Sequence, residues 1–163
     1  MKKWFSILLA ILMLSSVAAL AEEADAVSSA SVQDYYADRG VFGDELMDAI
    51  NSFSGFYAVS TVNEDGTPQL GYYIYSCYKH EDTYYIGLGI AENQTRVNIE
   101  NGSEAIAMYA KLPPEDGTDN YASYGARMWL KPVEDENLIK ELVPEQYAAT
   151  IILMEVTAVR SLG

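Results

Sequence analysis

Four residues at the start of a predicted helix could bind an anion. The segment Asn93 to Asn101 has helical character and opens with Asn93-Gln94-Thr95-Arg96. A helix amino terminus presents unpaired backbone N–H groups and a partial positive charge, and the Thr95 hydroxyl adds a donor. Arg96 could instead pair with Glu100 on a solvated helix face, and Thr95 could be a cap or first-turn residue. The segment therefore predicts either an anion site or an ordinary helix start.

Two residues that occur once each could also react. His80 suits metal or haem ligation, but its predicted turn contains no other His and no Cys. Cys77 lies in a predicted strand, where a buried, inert thiol is expected. As the single cysteine it excludes an intrachain disulfide, whereas a disulfide between two subunits stays open. No nucleophile elbow, Gly-rich phosphate loop, metal cluster or catalytic triad occurs in the sequence.

Six predicted strands must position these residues. Phe56 to Val62 is rich in aromatic and β-branched residues, and the following Asn-Glu-Asp-Gly-Thr-Pro segment predicts a hairpin turn in which Gly66 takes positive φ. Two further strands complete a predicted meander, and three more follow it. The five strands after the first are predicted over Gln69 to Tyr78, Thr83 to Leu88, Glu104 to Lys111, Tyr124 to Lys131 and Ala149 to Val159.

Short helices and one loop separate these strands. Helical spacing of apolar residues predicts a helix over Asp44 to Ser52 with Asp44 as its N-cap, and another before Gly40. Glu134 to Leu142 predicts a short acidic helix, and Leu112 to Ala122, with two prolines, a mobile loop. The order predicts a mainly β fold, a six-stranded antiparallel barrel, closed or split, with a few short helices.

Tyrosines are concentrated on two of these strands. Because alternate strand positions face opposite sides, one row could fill the barrel and the other could face a partner subunit or a ring-shaped ligand. Packing in the core or in a dimer is the use we expect for most of them. The residues are Tyr72, Tyr73, Tyr75, Tyr78, Tyr84 and Tyr85.

The ordered set of these motifs resembles the FMN-binding split-barrel proteins related to pyridoxamine 5'-phosphate oxidase, above all the small bacterial FMN-binding proteins. The resemblance covers about Phe53 to Val159. Its motifs are Asp65-Gly66-Thr67-Pro68-Gln69-Leu70, then Gly87-Leu88-Gly89, then the helix start at Asn93, and the closing strand.

The resemblance implies a non-covalent FMN at a homodimer interface. The flavin ring would lie along the second and third predicted strands, and its phosphate would lie at the helix start. Gly87 and Gly89 would let a planar ligand approach the backbone closely. The ring-side residues implied are Tyr72, Tyr73, Ile74, Leu88 and Gly89, and the phosphate residues are Gln94 and Thr95.

The helix start departs from the family at one position. Where members of the family commonly place a lysine or arginine before the threonine, this chain has Gln94, so a full charge is missing from the implied phosphate site. Arg96 is a candidate replacement, and Lys111 and Arg127 on neighbouring strands are others.

The implied function is electron transfer or reduction of a small substrate, in which the flavin performs the redox chemistry. The alternative is a non-enzymatic ligand- or haem-binding protein on the same scaffold, with an altered cofactor site.

The amino terminus predicts export. Lys2-Lys3, an apolar run from Trp4 to Leu14 and the small residues Ala19 and Ala21 are typical of a signal peptide over residues 1–21, followed by a flexible leader over 22–31 and a domain over 32–163. The expected location is secreted or extracytoplasmic, in a bacterium.

The charge balance excludes some partners. The chain carries 24 acidic and 10 basic residues, and removal of residues 1–21 changes its formal charge from −14 to −16. Nucleic acids and anionic membrane surfaces would be repelled.

Overall fold

The structure is a computed structural model that describes residues 37–112 and 124–162. The predicted signal peptide, the leader, the first residues of the domain and nearly all of the predicted loop lie outside these residues. The described part of the chain contains three α-helices and seven strands. They are α1 (Gly43–Asn51), β1 (Gly55–Val62), β2 (Pro68–Gly71), β3 (Tyr75–His80), β4 (Thr83–Gly89), α2 (Gln94–Glu100), β5 (Ala105–Lys111), β6 (Gly125–Pro132), α3 (Glu136–Leu142) and β7 (Ile151–Arg160).

The seven strands form one antiparallel sheet in the order β2-β1-β5-β6-β7-β4-β3. Its two outermost strands, β2 and β3, are joined in sequence by only Tyr72, Tyr73 and Ile74. The four Cα steps from Gly71 to Tyr75 can span at most about 14 Å. The sheet must therefore curl until its edges approach each other, which confirms the mainly β, antiparallel barrel.

The predicted count of six strands is wrong by one, because the segment Gln69 to Tyr78 forms two strands. β2 pairs with β1, with Gly71 opposite Val59, whereas β3 pairs with β4, with Tyr75 opposite Leu88. Each half of the segment thus pairs with a different strand, and the residues between them belong to neither strand. The predicted meander is interrupted at this point.

Local signals at turns and caps agree with the structure in most places. Gly66 has φ of 81°, as the hairpin turn requires, and the N–H of Asn63 donates to the carbonyl of Thr67. Asn93 caps α2 through its side chain, and Asp135 caps α3 in the same way. The helix predicted before Gly40 has only a 3₁₀ turn, Ala37–Arg39, among the described residues, and a second 3₁₀ turn lies at Glu145–Tyr147.

The prediction of Asp44 as the N-cap of α1 is wrong. Phe42 occupies the cap position without a side-chain cap, and Asp44 lies in the first turn. Its carboxylate accepts hydrogen bonds from Lys79 Nζ and the Tyr84 hydroxyl, each over 2.8 Å. The acid therefore connects α1 to the β3–β4 hairpin instead of closing the helix end.

Tyrosines fill much of the barrel interior. Tyr57 contacts Tyr75 and Tyr109 edge to face, with ring centroids 5.1 and 5.4 Å apart. The small residues Ala105, Ala107 and Ala126 on β5 and β6 leave room for these rings in the same buried cluster. Helix α1 packs against the cluster through Leu46 and Ile50.

Within residues 37–112 and 124–162, no helix has the length and apolar character needed to cross a membrane.

Candidate functional site

Contacts within the protein occupy the side chain of Arg96 at the start of α2. Its Nε donates to Glu100 Oε1 over 2.8 Å, and a terminal nitrogen donates to the Ile90 carbonyl over 2.6 Å. Its backbone N–H is capped by Asn93 Oδ1 at 3.1 Å. The ion pair that the sequence offered as an alternative is thus present, and the same guanidinium is also bound to the Ile90 carbonyl.

The hydroxyl of Thr95 points into the protein. Thr95 is fully buried, and its Oγ1 lies 3.0 Å from the hydroxyl of Tyr73. Gly71 makes this contact possible, because a Cβ at that position would collide with the ring of Tyr73. The structure therefore joins two residues that the resemblance assigned to opposite ends of the cofactor.

A chain of amides continues from Gln94. Gln94 Nε2 donates to Asn98 Oδ1 over 2.7 Å, and Asn98 Nδ2 donates to Thr61 Oγ1 and Asn63 Oδ1 over 2.9 and 2.8 Å. Asn98 is 3% exposed, so its amide links α2 to β1 inside the protein. Asn98 was not among the predicted site residues, although its position one turn after Gln94 is the available signal.

The ring-side residues do not share one surface. Tyr72 and Ile74 are 57 and 51% exposed, whereas Tyr73 between them turns towards α2. The side chain of Leu88 is fully buried in the core, and Gly89 is exposed with no side chain near its Cβ position. The space at Gly87 is filled by the ring of Tyr78.

An apolar groove of about 460 Å³ lies beside Tyr72 on the outer side of the sheet. The rings of Phe56 and Tyr72 form one wall, with centroids 5.8 Å apart. Of the described residues that line the groove, only Arg127 is charged. The others are Phe56, Tyr57, Ala58, Ser60, Leu70, Gly71, Tyr72, Ile106 and Met108.

Several of these groove residues were not predicted. Ala58 on β1 is paired with Met108 on β5, and Met108 is paired with Arg127 on β6, so alternate positions of three neighbouring strands form one face. The alternation along each strand can be inferred from the sequence. The order of the strands, which makes β1, β5 and β6 neighbours, cannot.

Arg127 is held at the groove by the protein itself. Its Nε donates to the Ser161 carbonyl over 2.7 Å, and its guanidinium lies 5.8 Å from the centre of the Trp129 ring. Its buried Nη2 has no hydrogen-bond partner among the described residues. A buried donor without a partner costs free energy, so an acceptor atom supplied by a ligand would be favourable here.

Lys111 lies elsewhere. It is exposed at the end of β5 and lines a different depression, of about 670 Å³, together with acidic residues such as Asp38, Glu45 and Asp48. The structure therefore brings Lys111 neither to the groove nor to the start of α2.

The single histidine, His80, contacts an acid, and the single cysteine, Cys77, is buried. His80 Nδ1 lies 3.1 Å from Glu141 Oε1 on α3. Cys77 is 5% exposed, as expected, and burial raises the pKa of its thiol to about 12. Among the described residues, no three His, Cys, Asp or Glu side chains are close enough together to hold a metal ion.

The two ends of FMN fit this structure differently. The groove offers apolar walls, aromatic rings and a buried donor, which suit a planar heteroaromatic ring. At the start of α2, the hydroxyl of Thr95 is buried, Gln94 is neutral, and Arg96 is paired with Glu100. The described residues thus fit a flavin ring and do not fit a phosphate at α2.

Comparisons with known proteins agree on the fold. No model of a known protein family matches the sequence, and no curated protein matches it significantly. Among solved structures, an FMN-binding protein from Syntrophomonas wolfei matches with a TM-score of 0.50 and 11% identity, over 74% of this chain and 85% of that one. HupZ from Group A Streptococcus matches with a TM-score of 0.51 and 17% identity, over 75% of this chain and 94% of that one.

At such low identity these matches concern the fold alone. The chain has the split-barrel fold of FMN-binding proteins, and the resemblance found in the sequence is confirmed at that level.

Proposed function

We propose that this chain is an exported bacterial flavoprotein that binds a flavin non-covalently and takes part in electron transfer or in the reduction of a small substrate. The observation that carries the proposal is the apolar groove beside Tyr72, on a fold shared with a protein described as FMN-binding. FMN is the form of flavin that the resemblance implies.

The groove supports the binding of a flavin ring through its size and its lining. A volume of about 460 Å³ lies within the range of ordinary ligand pockets, roughly 300 to 1,000 Å³. Phe56 and Tyr72 are half exposed, so a planar ring placed against them would remove apolar surface from water. Arg127 supplies a hydrogen-bond donor within apolar surroundings, which would orient a ring carbonyl.

A bound flavin would supply the hydride or electron transfer. The contribution of this chain's own residues is then to bind the ring, to orient it through Arg127 and to exclude water from one of its faces. Flavin chemistry of this kind needs no catalytic acid or nucleophile from the chain.

We also propose that the chain forms a homodimer. Four large apolar side chains, Phe56, Leu70, Tyr72 and Ile74, are between 49 and 70% exposed near the groove. Such a cluster is typical of a surface that a partner covers, and a second copy would also shield a ring bound there. Sedimentation equilibrium measures the mass, and a purely monomeric species at micromolar concentration would contradict this part of the proposal.

Export is proposed from the sequence of residues 1–21. We expect the signal peptide to be cleaved after Ala21. The intact mass of protein recovered outside the cytoplasm tests the cleavage site, and an unprocessed chain in the cytoplasm would contradict it.

Flavin retention tests the central proposal. We expect purified protein that is incubated with riboflavin or FMN and then desalted to keep a flavin absorbance spectrum in a fixed ratio to protein. Loss of all flavin on desalting, together with unchanged flavin fluorescence in a titration, would rule the proposal out.

The second candidate is a non-enzymatic ligand-binding protein on the same scaffold. The observation that favours it concerns the start of α2, where Arg96 is paired with Glu100 and its positive charge is therefore not free for a phosphate. This candidate would be favoured if the bound flavin is reduced by dithionite but not by physiological electron donors. A haem protein would instead show a Soret band that is lost in His80→Ala.

A further inference from the structure

A polar depression of about 600 Å³ lies at Gln94, next to the β1–β2 turn. Three of the described residues that line it carry primary amides, two carry carboxylates, and none is basic. They are Asn63, Gln69, Gln94, Glu64 and Asp65. A second polar depression shares Asn63 and Glu64 with the first and adds Asn98, Asn101, Ser103 and Glu104 to the same acid-and-amide surface.

The amides in this lining suit hydroxyl groups. Each primary amide offers two donor hydrogens and a carbonyl acceptor, and a hydroxyl can both donate and accept. Gln94 is exposed, and its hydrogen bond to Asn98 fixes the direction of its amide without using the carbonyl oxygen. A row of hydroxyls on a flexible chain could therefore find several partners here.

The same lining opposes a negatively charged group. Hydrogen bonds from the Thr67 hydroxyl and the Thr67 backbone N–H hold the pKa of Asp65 below its ordinary value, so this carboxylate stays charged well into the acidic range. Glu64 lies beside it in the lining.

Among the described residues, no basic side chain lines either depression. Arg96, on the first turn of α2, directs its guanidinium to Glu100 and to the Ile90 carbonyl. A phosphate at Gln94 would lie near two carboxylates, with no basic side chain in the lining to bind it. The strongly acidic chain as a whole adds to this repulsion.

We infer that this depression binds an uncharged polyhydroxyl chain, and that the flavin selected by this protein therefore ends in a free hydroxyl, as riboflavin does, instead of a phosphate. The inference rests on the proposed function, because it concerns the polar end of a flavin whose ring lies in the groove. Both places border on β2, since Gln69 lines the depression and the next two residues of the strand, Leu70 and Gly71, line the groove.

A paired titration tests the inference. Riboflavin and FMN, which share one ring, are each titrated into the purified protein while flavin fluorescence is recorded. We expect riboflavin to bind about tenfold more tightly than FMN. The difference should shrink as salt rises, because salt screens the repulsion of the phosphate.

Two variants of one residue locate the effect. Gln94→Lys places a cation in the lining and should strengthen FMN binding about tenfold relative to riboflavin. Gln94→Met has a similar length and no charge, and it should give FMN no such gain.

Each outcome decides something. FMN bound as tightly as riboflavin by the unmodified protein would overturn the inference, and so would a Gln94→Lys protein with an unchanged ratio of the two affinities. If neither flavin binds, the proposed function itself fails, which is a different result from binding without the expected preference.

Discussion

The hydroxyl oxygens of Tyr73 and Thr95 lie 3.0 Å apart, between the segment that joins β2 to β3 and the first turn of α2. This contact turns Tyr73 inwards while Tyr72, its neighbour in sequence, faces the groove. The same short segment therefore closes the barrel, holds α2 and forms part of the candidate binding surface.

The Tyr73–Thr95 pair should be coupled energetically. Tyr73→Phe leaves the buried Thr95 hydroxyl without this partner and should lower the free energy of unfolding by about 1–3 kcal/mol. Thr95→Val should cost less in the Tyr73→Phe background than in the unmodified protein, because the hydroxyl it removes has already lost its contact with the Tyr73 hydroxyl. Urea unfolding of the four proteins measures the coupling, and strictly additive losses would contradict it.

Acid should destabilise the protein partly through Asp44. Hydrogen bonds from Lys79 and Tyr84 hold the pKa of Asp44 below its ordinary value of 3.8. A carboxyl whose pKa is lower in the folded state stabilises the fold above its unfolded pKa and loses that contribution as pH falls through the folded pKa. Asp44→Asn should therefore lower stability at pH 7 and flatten the loss of stability below about pH 4.

Urea midpoints measured from neutral to acidic pH check this effect. Asp48→Asn changes an exposed acid of the same helix that lies outside the Asp44 network, and it should keep the acid loss of the unmodified protein. If Asp44→Asn has the same acid dependence as the unmodified protein, the Lys79 and Tyr84 contacts do not influence stability.

Cys77 should resist thiol reagents in the folded protein. Burial raises the pKa of its thiol to about 12, so at pH 8 its thiolate fraction falls roughly 1,000-fold below that of an exposed cysteine. Labelling by a disulfide reagent should be very slow in buffer and fast in denaturant. Rapid labelling of the folded protein, or a dimer that dissociates on reduction, would contradict the burial of Cys77.

Most of the strand pattern was predictable because it is local. The turn at Gly66 and the aromatic and β-branched composition of β1 depend on neighbouring residues, and both agree with the structure. The break after Gly71 was not predictable in the same way, since Tyr72 to Ile74 has the aromatic and β-branched residues typical of a strand. The break arises because β2 and β3 pair with different strands.

The candidate site was less predictable for a similar reason. Glu100 as a partner of Arg96 follows from spacing within one helix, and the sequence predicted this pair as an alternative. The groove requires β1, β5 and β6 to lie side by side, and the distance in sequence between Ala58, Met108 and Arg127 gives no sign of that. The helix start was thus predictable from the spacing of neighbouring residues. The groove was not, because it depends on the order of the strands in the sheet.

The groove should depend on Tyr72 for binding and not for folding. Tyr72 is 57% exposed, so Tyr72→Ala should change the free energy of unfolding by no more than about 0.5 kcal/mol. The same change removes one of the two rings that form the groove wall and should weaken riboflavin binding about tenfold. Tyr147→Ala is the matched control, because Tyr147 is 51% exposed in the 3₁₀ turn outside the groove lining. Fluorescence titration of both variants, beside urea unfolding, separates the two effects. Equal affinities in the two variants would mean that the flavin ring does not lie against Tyr72.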